Sequence, residues 1–185
     1  VRREENRPGG AANVARNIAS LGGHVRLLSV VGNDEAADAL ESLLVKESVH
    51  ASLRRDPELN TTVKLRVIGH RQQLLRIDFE QAPGHEVLQS KLGEFEQRLD
   101  EVDVVVLSDY GKGGLTHVAR MIELCRQHKK PVLVDPNGSD YSKYRGATLI
   151  TPNRAEFREV AGRWADEADL ALRAQKLRSE LDLEA

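Results

Sequence analysis

The sequence is poor in cysteine and aromatic residues, and it lacks any long apolar run. Its single cysteine, Cys125, excludes an internal disulfide, and apolar neighbours at helical spacing predict that this residue fills the core. No apolar run is long enough to span a bilayer, and the first five residues do not form a signal peptide. We therefore expect a globular, cytoplasmic protein with no membrane partner.

An excess of charge of either sign is also missing. The chain has 27 lysine and arginine residues against 29 aspartate and glutamate residues, which gives a net charge of −2. This balance provides no general attraction to nucleic acid, and we expect no nucleic-acid partner. The six histidines are scattered without metal-ligand spacing. Any anion-binding site in this protein must therefore be local.

Two common nucleotide-binding motifs are absent as well. Neither Gly-x-Gly-x-x-Gly nor Gly-x-x-x-x-Gly-Lys-Ser/Thr occurs in the sequence. Their absence removes the usual support for a dinucleotide-binding dehydrogenase or a P-loop nucleotidase. A nucleotide would therefore have to bind through a different motif.

Helical and extended segments alternate along the 185 residues, of which 40% are apolar. Apolar spacing predicts helices at 11–21, after Asp34, and at 86–99, 115–128, 154–160 and 166–181. It predicts strands at 25–31, 49–53, 102–107, 131–134 and 147–150. This order indicates an α/β fold with a mainly parallel sheet. No strand follows the last helix, so we expect the layered pattern to be incomplete.

A β-hairpin at about 61–80 interrupts the alternation. Two extended segments flank the turn Gly69-His70-Arg71, and they carry a concentration of basic side chains, namely Lys64, Arg66, Arg71 and Arg76. Since side chains alternate along a strand, Lys64 and Arg66 share one face. Arginine binds phosphate bidentately, so a phosphate clamp is one interpretation. A charge-protected edge strand is the other.

The segment Gly9-Gly10-x-x-Asn13 opens the first helix. Glycine lets a small polar ligand lie against the backbone, and the first-turn N–H groups of a helix are free to bond ligand oxygens. Asn13 offers donors and an acceptor to a pair of sugar hydroxyls. The alternative is an ordinary glycine loop before a helix.

Polar loops follow the later strands, where ligands of parallel sheets collect. Asp109 can accept hydrogen bonds from sugar hydroxyls, and Lys112 can counter the charge of a phosphate. Asp135 follows the next strand, in the same position relative to that strand as Asp109 has to its own. Asn153 and Glu156 begin the helix at 154–160 either as a capping pair or as groups that face metal-bound phosphates of ATP. Turn and cap chemistry alone also explains all of these loops.

Together these segments resemble the ribokinase-like, phosphofructokinase-B-type carbohydrate kinases. The resemblance rests on Gly9-Gly10-x-x-Asn13, Val31-Gly32-x-Asp34, the hairpin, and Asn153-x-x-Glu156. Within that family, the segments 7–17, 64–67, 72–80, 107–113 and 144–148 resemble the heptose 7-phosphate kinases.

The resemblance implies a partial three-layer α/β/α kinase domain over 1–185, with the hairpin as a lid and no second full domain. It implies ATP-dependent phosphorylation of the anomeric hydroxyl of D-glycero-D-manno-heptose 7-phosphate to the 1,7-bisphosphate, in ADP-heptose and lipopolysaccharide-core synthesis. The substrate would contact Gly9, Gly10, Asn13, Lys64, Arg66, Arg71, Gln73, Arg76, Asp109 and Lys112. ATP would contact Asn153, Arg154, Ala155 and Glu156, with Mg²⁺ near Glu156 and Asp135 through water. The lid would also pair two copies into a homodimer.

Two elements of the family pattern are not found in the sequence. The family has a sugar-binding aspartate on an earlier strand and a Gly-Ala-Gly-Asp segment that supplies the catalytic base and an anion hole. We therefore expect a chain that is truncated at both ends and inactive by itself. The alternatives are a kinase for another sugar or sugar phosphate, a non-catalytic sugar-phosphate-binding or interaction module, and a remnant that folds poorly.

Overall fold

A computed structural model of the chain describes residues 3–70 and 72–185. The chain divides into two compact units, Val1–Lys91 and Leu92–Ala185. Because helix α3 (His85–Arg98) begins in the first unit and ends in the second, the boundary lies inside a helix. Each unit has its own strands and buried side chains, and they are described separately.

The first unit contains a parallel strand pair, two helices and a hairpin. Its elements are α1 (Gly10–Ser20), β1 (Arg26–Gly32), α2 (Glu35–Lys46), β2 (His50–Asp56), β3 (Val63–Gly69) and β4 (Gln72–Phe79). Strands β1 and β2 pair in parallel, with Arg26 opposite His50 and Gly32 opposite Asp56. The helix between them makes this a β-α-β unit.

Small and branched apolar side chains form the core of this unit. Ala12 and Ala15 are spaced for one face of α1, and they pack with Leu27, Leu44 and Val49. Leu44, on α2, is completely buried. The core therefore fixes the start of α1 against the parallel strand pair.

The hairpin pairs β3 with β4 in antiparallel register. Its turn includes His70, whose φ of 48° lies in the left-handed region. The pairing places six apolar side chains on one face, which we call the apolar hairpin face: Val63, Leu65, Val67, Leu75, Ile77 and Phe79. The opposite face, called the charged hairpin face, carries Lys64, Arg66, Arg76 and Asp78. The register shifts between Val67 and Ile68, as a β-bulge does.

The second unit is built on three parallel strands. Its further elements are β5 (Val105–Ser108), α4 (Val118–Gln127), β6 (Val132–Asp135), β7 (Leu149–Ile150), α5 (Arg154–Ala161) and α6 (Glu167–Glu180). Strand β6 lies between β5 and β7. Because all three run in parallel, their carboxyl ends lie at one edge of the sheet. The predicted core position of Cys125 on α4 is confirmed, since its side chain is fully buried.

The predicted order of helices and strands is confirmed, but two predicted strands differ. The strand expected to be buried at 102–107 begins only at Val105, and Val104 and Val106 remain 46% and 39% exposed. Alternation turns Val105 and Leu107 to the core and leaves the other face open. The strand at 147–150 shortens to Leu149–Ile150.

The parallel strands form a two-stranded sheet in the first unit and a three-stranded sheet in the second. Among residues 3–70 and 72–185, no helix has the length and apolar character needed to cross a membrane.

Candidate functional site

The start of α1 is an exposed backbone segment, as its two glycines predict. Gly10 has a φ of 53°, a left-handed conformation that glycine adopts without a Cβ penalty. A Cβ placed on Gly9 would meet no atom within 4 Å, so open space faces the backbone at this point. Both glycines are exposed, while the preceding Pro8 is buried. A ligand therefore has room to reach the first turn of this helix.

This helix start also lacks the side-chain cap that three other helices of the chain have. Asp34, Asn153 and Asp166 accept hydrogen bonds from the first-turn amides of α2, α5 and α6. No described side chain caps α1. Asn13 lies on its first turn, half-buried, and its Oδ1 accepts a hydrogen bond of 3.0 Å from Arg16. Apart from the Ala12 amide, which donates to the Gly9 carbonyl at 3.1 Å, the first-turn amides of α1 therefore remain available to a ligand.

The charged hairpin face brings two arginines directly opposite each other. Arg66 on β3 is the register partner of Arg76 on β4. Like charges at opposed positions destabilise a strand pair. Asp78 partly offsets this charge, because its Oδ1 and Oδ2 accept bonds of 2.9 and 2.6 Å from Arg76. Lys64 lies near Glu80, at 3.8 Å. Arg66 thus faces a second cation across the strand pair.

Asp109 follows β5 and forms the most buried charged cluster of the second unit. The side chain of Asp109 is only 8% exposed. Its Oδ2 accepts bonds of 2.9 Å from Lys143 and 2.7 Å from the Tyr144 hydroxyl, and its Oδ1 accepts one of 2.8 Å from the Gly111 amide. Burial alone would raise the pKa of Asp109, but these hydrogen bonds together lower it.

These bonds change how Asp109 is interpreted. Both of its carboxylate oxygens already accept from donors of the protein, so this side chain stabilises its own loop and the turn at Lys143 and Tyr144. Direct hydrogen bonding of Asp109 to a sugar hydroxyl stays a prediction. Lys112, also a predicted substrate contact, is half-buried in the same loop.

Asp135 follows β6 and lies in a negatively charged environment. Burial raises the pKa of Asp135, and the charges of Glu156 and Asp109 raise it further. A cation bound beside this carboxylate would relieve the repulsion. No group of three or more histidine, cysteine, aspartate or glutamate side chains within 3–70 and 72–185 is arranged to hold a metal ion by itself.

The segment after β7 forms a complete capping box. Asn153 Oδ1 accepts bonds of 2.9 and 3.1 Å from the amides of Ala155 and Glu156, and Glu156 Oε2 accepts one of 2.8 Å from the Asn153 amide. Arg154 forms a bidentate pair with Glu167, both contacts at 2.9 Å. The capping interpretation is therefore confirmed, and an additional role toward ATP stays a prediction.

The predicted site residues fall into both units. The first unit holds Gly9, Gly10, Asn13, Lys64, Arg66, Gln73 and Arg76. The second holds Asp109, Lys112, Asp135, Asn153, Arg154, Ala155 and Glu156. The predicted contact Arg71 lies outside the described residues. Sequence reasoning missed Lys143 and Tyr144 as partners of Asp109, since no local pattern links residues so far apart in the chain.

Comparison with known proteins now places the chain in a family. Residues 1–183 match the pfkB family of carbohydrate kinases. The chain belongs to this family.

Members of the pfkB family with high sequence identity align along the whole chain. The chain is 53% identical over 185 residues to a D-beta-D-heptose 7-phosphate kinase of Bordetella bronchiseptica, of which it spans 59%. It is 51% identical over 185 residues to the bifunctional protein HldE of Chromohalobacter salexigens, of which it spans 39%. The chain therefore corresponds to part of each of these relatives.

Solved structures of carbohydrate kinases share the fold. Phosphofructokinase-2 from Escherichia coli in complex with fructose-6-phosphate has a TM-score of 0.75 at 21% identity, over 99% of this chain and 65% of that one. A carbohydrate kinase from Agrobacterium tumefaciens has a TM-score of 0.66 at 14% identity, over 94% of this chain and 60% of that one. The ribokinase-like fold expected from the sequence is confirmed.

Proposed function

We propose that this chain is the kinase part of an enzyme that phosphorylates a heptose 7-phosphate. The reaction would transfer the γ-phosphoryl group of ATP to the anomeric hydroxyl of D-glycero-D-manno-heptose 7-phosphate, giving the 1,7-bisphosphate, an intermediate for ADP-heptose. The observation that carries the proposal is the 53% identity, over the whole chain, to a relative named for this substrate. We also propose a cytoplasmic location, which the need for ATP supports.

The first unit supplies the groups for the sugar in this proposal. Gly9 and Gly10 leave the helix backbone open, and the uncapped amides of α1 would donate to sugar oxygens. Asn13 would bond a hydroxyl after exchanging its contact with Arg16. These donors and acceptors suit a polyol, since each hydroxyl both donates and accepts.

The charged hairpin face supplies the groups for the 7-phosphate. Arg66 and Arg76 are opposed in register, so a doubly charged anion between them would replace repulsion with two charge-assisted contacts. Lys64 lies on the same face, and the bulge brings Gln73 opposite Ile68. We also assign Arg71 to the phosphate, from its position in the sequence between β3 and β4.

The second unit supplies the groups for ATP and magnesium. We assign Asn153, Arg154, Ala155 and Glu156 to the nucleotide. Mg²⁺ takes oxygen ligands and keeps several waters, and it would supply charge neutralisation for the phosphates. Asp135 fits a nearby hydrated cation, since it lies at the carboxyl end of β6 in a negatively charged environment where burial and the charges of Glu156 and Asp109 raise its pKa. Glu156 would orient water through the carboxylate that also caps α5.

Ligand binding and phosphoryl transfer test the proposal separately. We expect the chain to bind D-glycero-D-manno-heptose 7-phosphate more tightly than either unphosphorylated heptose or fructose 6-phosphate in calorimetric titrations. For transfer, this chain replaces the matching 185 residues of the Bordetella bronchiseptica relative. With ATP and Mg²⁺, the chimera is expected to form heptose 1,7-bisphosphate, detected by mass spectrometry.

Two results would contradict this function in different ways. A preference for fructose 6-phosphate would indicate a kinase for another sugar phosphate. A chimera that binds heptose 7-phosphate yet forms no bisphosphate would favour a non-catalytic binding module. The unaltered relative, assayed beside the chimera, controls for the reaction conditions.

The proposal includes a homodimer formed through the apolar hairpin face. Its six side chains, Val63, Leu65, Val67, Leu75, Ile77 and Phe79, are between 36% and 52% exposed. A contiguous apolar surface on a two-stranded sheet is expected to be covered by a partner. A second copy would present the same surface, as a two-fold interface requires.

We expect Leu65→Glu to convert a dimer into a monomer, because it buries a carboxylate in the centre of the apolar hairpin face. Leu172→Glu is the matched control, since Leu172 on α6 is 71% exposed and lies outside the hairpin. Sedimentation velocity measures the mass of both variants and of the unaltered chain. A monomeric unaltered chain, or a dimer that survives Leu65→Glu, would rule out this interface.

A further inference from the structure

The connection from β2 to the hairpin is bonded to the end of β1 and the start of α2. We call residues 57–62 of this connection the hairpin root. The Gly32 amide donates to Thr61 Oγ1 at 2.8 Å, and the Thr61 amide donates to Asp34 Oδ2 at 2.8 Å. The other oxygen, Asp34 Oδ1, accepts from the Ala37 amide at 2.9 Å. One carboxylate therefore joins α2 to the hairpin root.

This joint is buried and closely packed. Thr61 is 9% exposed. A Cβ on Gly32 would overlap the Leu59 carbonyl oxygen and lie 2.9 Å from the Thr61 amide nitrogen, so the two backbones are in direct contact. The hydrogen bonds of Thr61 and Ala37 lower the pKa of Asp34 against the opposing effect of burial. The carboxylate is thus held ionised as a double acceptor.

A second contact ties the two connections of the hairpin together. Gln81, which follows β4, accepts a bond of 3.2 Å from the Asn60 amide and donates one of 2.9 Å to the Glu58 carbonyl. The outgoing and returning segments are therefore linked at the root. Whatever fixes the root also fixes the direction in which both hairpin strands extend from it.

The strands beyond the root have little other support. Every side chain of β4 is exposed, and so is every side chain of β3 up to Ile68. A hairpin with two exposed faces takes its orientation from its attachment. At that attachment the bond from the Gly32 amide to Thr61 is buried, and the bond from the Thr61 amide to Asp34 is half-buried.

We propose that Asp34 and Thr61 are positioning residues for phosphate capture, because they hold the hairpin root in the orientation that presents Arg66 and Arg76 to the substrate. This inference rests on the proposed function. Neither residue touches the substrate. They set the position of the charged hairpin face before the phosphate binds.

Asp34→Asn isolates the bond to Thr61. Asparagine caps helices as well as aspartate does, so its Oδ1 keeps the bond to the Ala37 amide. Its Nδ2 takes the place of Oδ2 and offers the Thr61 amide no acceptor. Asp166→Asn is the matched control, since Asp166 caps α6 by the same bond, 2.9 Å from the Asp169 amide, and lies in the other unit. Thr61→Val removes the hydroxyl that accepts from the Gly32 amide, and Thr61→Ser retains it.

We expect Asp34→Asn and Thr61→Val to lower the affinity for heptose 7-phosphate by about tenfold or more. Affinity for unphosphorylated heptose should not change. Thr61→Ser and Asp166→Asn should bind both sugars like the unaltered chain. Equal losses for the two sugars, or an equal loss in Asp166→Asn, would overturn the proposal, since a general loss of structure would produce them.

Hydrogen exchange without ligand separates this inference from the proposed function. In Asp34→Asn and Thr61→Val, faster exchange is expected to extend from Gly32 and Thr61 into β3 and β4. If the faster exchange is confined to the Gly32 and Thr61 amides, the positioning role is wrong, even where the sugar binds. An unaltered chain that fails to bind heptose 7-phosphate would instead refute the proposed function, while the exchange comparison still decides whether the root holds the hairpin.

Discussion

Replacing Arg66 and Arg76 with glutamine is expected to lower the affinity for heptose 7-phosphate by at least about 100-fold. A hydrogen bond to a charged group contributes about 1.5–3 kcal/mol, so each arginine accounts for a factor of about 10 to 150. Glutamine keeps a polar, though shorter, side chain and removes the charge. Affinity for unphosphorylated heptose is expected to stay the same, because that ligand offers the two arginines no phosphate. Calorimetric titration of each sugar measures both values.

Variants of Arg120 and Asp78 serve as controls for the two arginine substitutions. Arg120 pairs with Glu123 and is 46% exposed, against 45% for Arg76 in its pair with Asp78. Arg120→Gln therefore controls for the loss of an exposed ion pair. Asp78→Asn should act in the opposite direction and tighten phosphate binding, since it frees Arg76. Weaker binding of both sugars by the arginine variants would show that these side chains only support the fold.

Local features of the site were predictable from sequence because their causes are local. The alternation of Lys64 with Leu65 assigns the two faces of a strand, whatever the strand pairs with. Asp34 and Asn153 cap helices because their short side chains reach amides two or three residues ahead. Gly10 adopts a positive φ at a position where the sequence offers glycine.

Contacts between distant segments were not predictable in the same way. The Tyr144 hydroxyl meets Asp109 across 35 positions of sequence, and Thr61 meets Gly32 across 29. Such pairs depend on which strands become neighbours, and the composition of either loop does not encode that. The bulge in the hairpin is a similar case, because a shift of one residue decides whether Gln73 or Leu74 stands opposite Ile68.

The Asn153–Glu156 segment shows why a motif leaves its role open. The capping box uses Oδ1 of Asn153 and Oε2 of Glu156. A nucleotide-binding loop at the carboxyl end of a parallel strand also needs a rigid helix start with an amide and a carboxylate. The same residues meet both requirements, so spacing alone could not separate them. The role toward ATP therefore stays a prediction.

Two neighbouring tyrosines of the second unit are expected to respond very differently to loss of the hydroxyl. Tyr144 is fully buried, and its hydroxyl donates to Asp109 at 2.7 Å and accepts from the Asn137 amide at 2.9 Å. Tyr144→Phe leaves that amide without its acceptor and should lower the free energy of unfolding by about 1–3 kcal/mol. Urea unfolding, followed by the fluorescence of Trp164 in the same unit, measures the change.

Tyr141 is the matched control for the same chemical change. It is 2% exposed, and its ring packs edge-on against Tyr144 with centroids 5.5 Å apart. Within the described part of the chain its hydroxyl has no hydrogen-bond partner. Removing a buried hydroxyl that gains no bond also removes its desolvation cost, so Tyr141→Phe should leave the stability unchanged or raise it. Equal losses in the two variants would mean that ring packing outweighs the hydrogen bonds that hold the Asp109 loop.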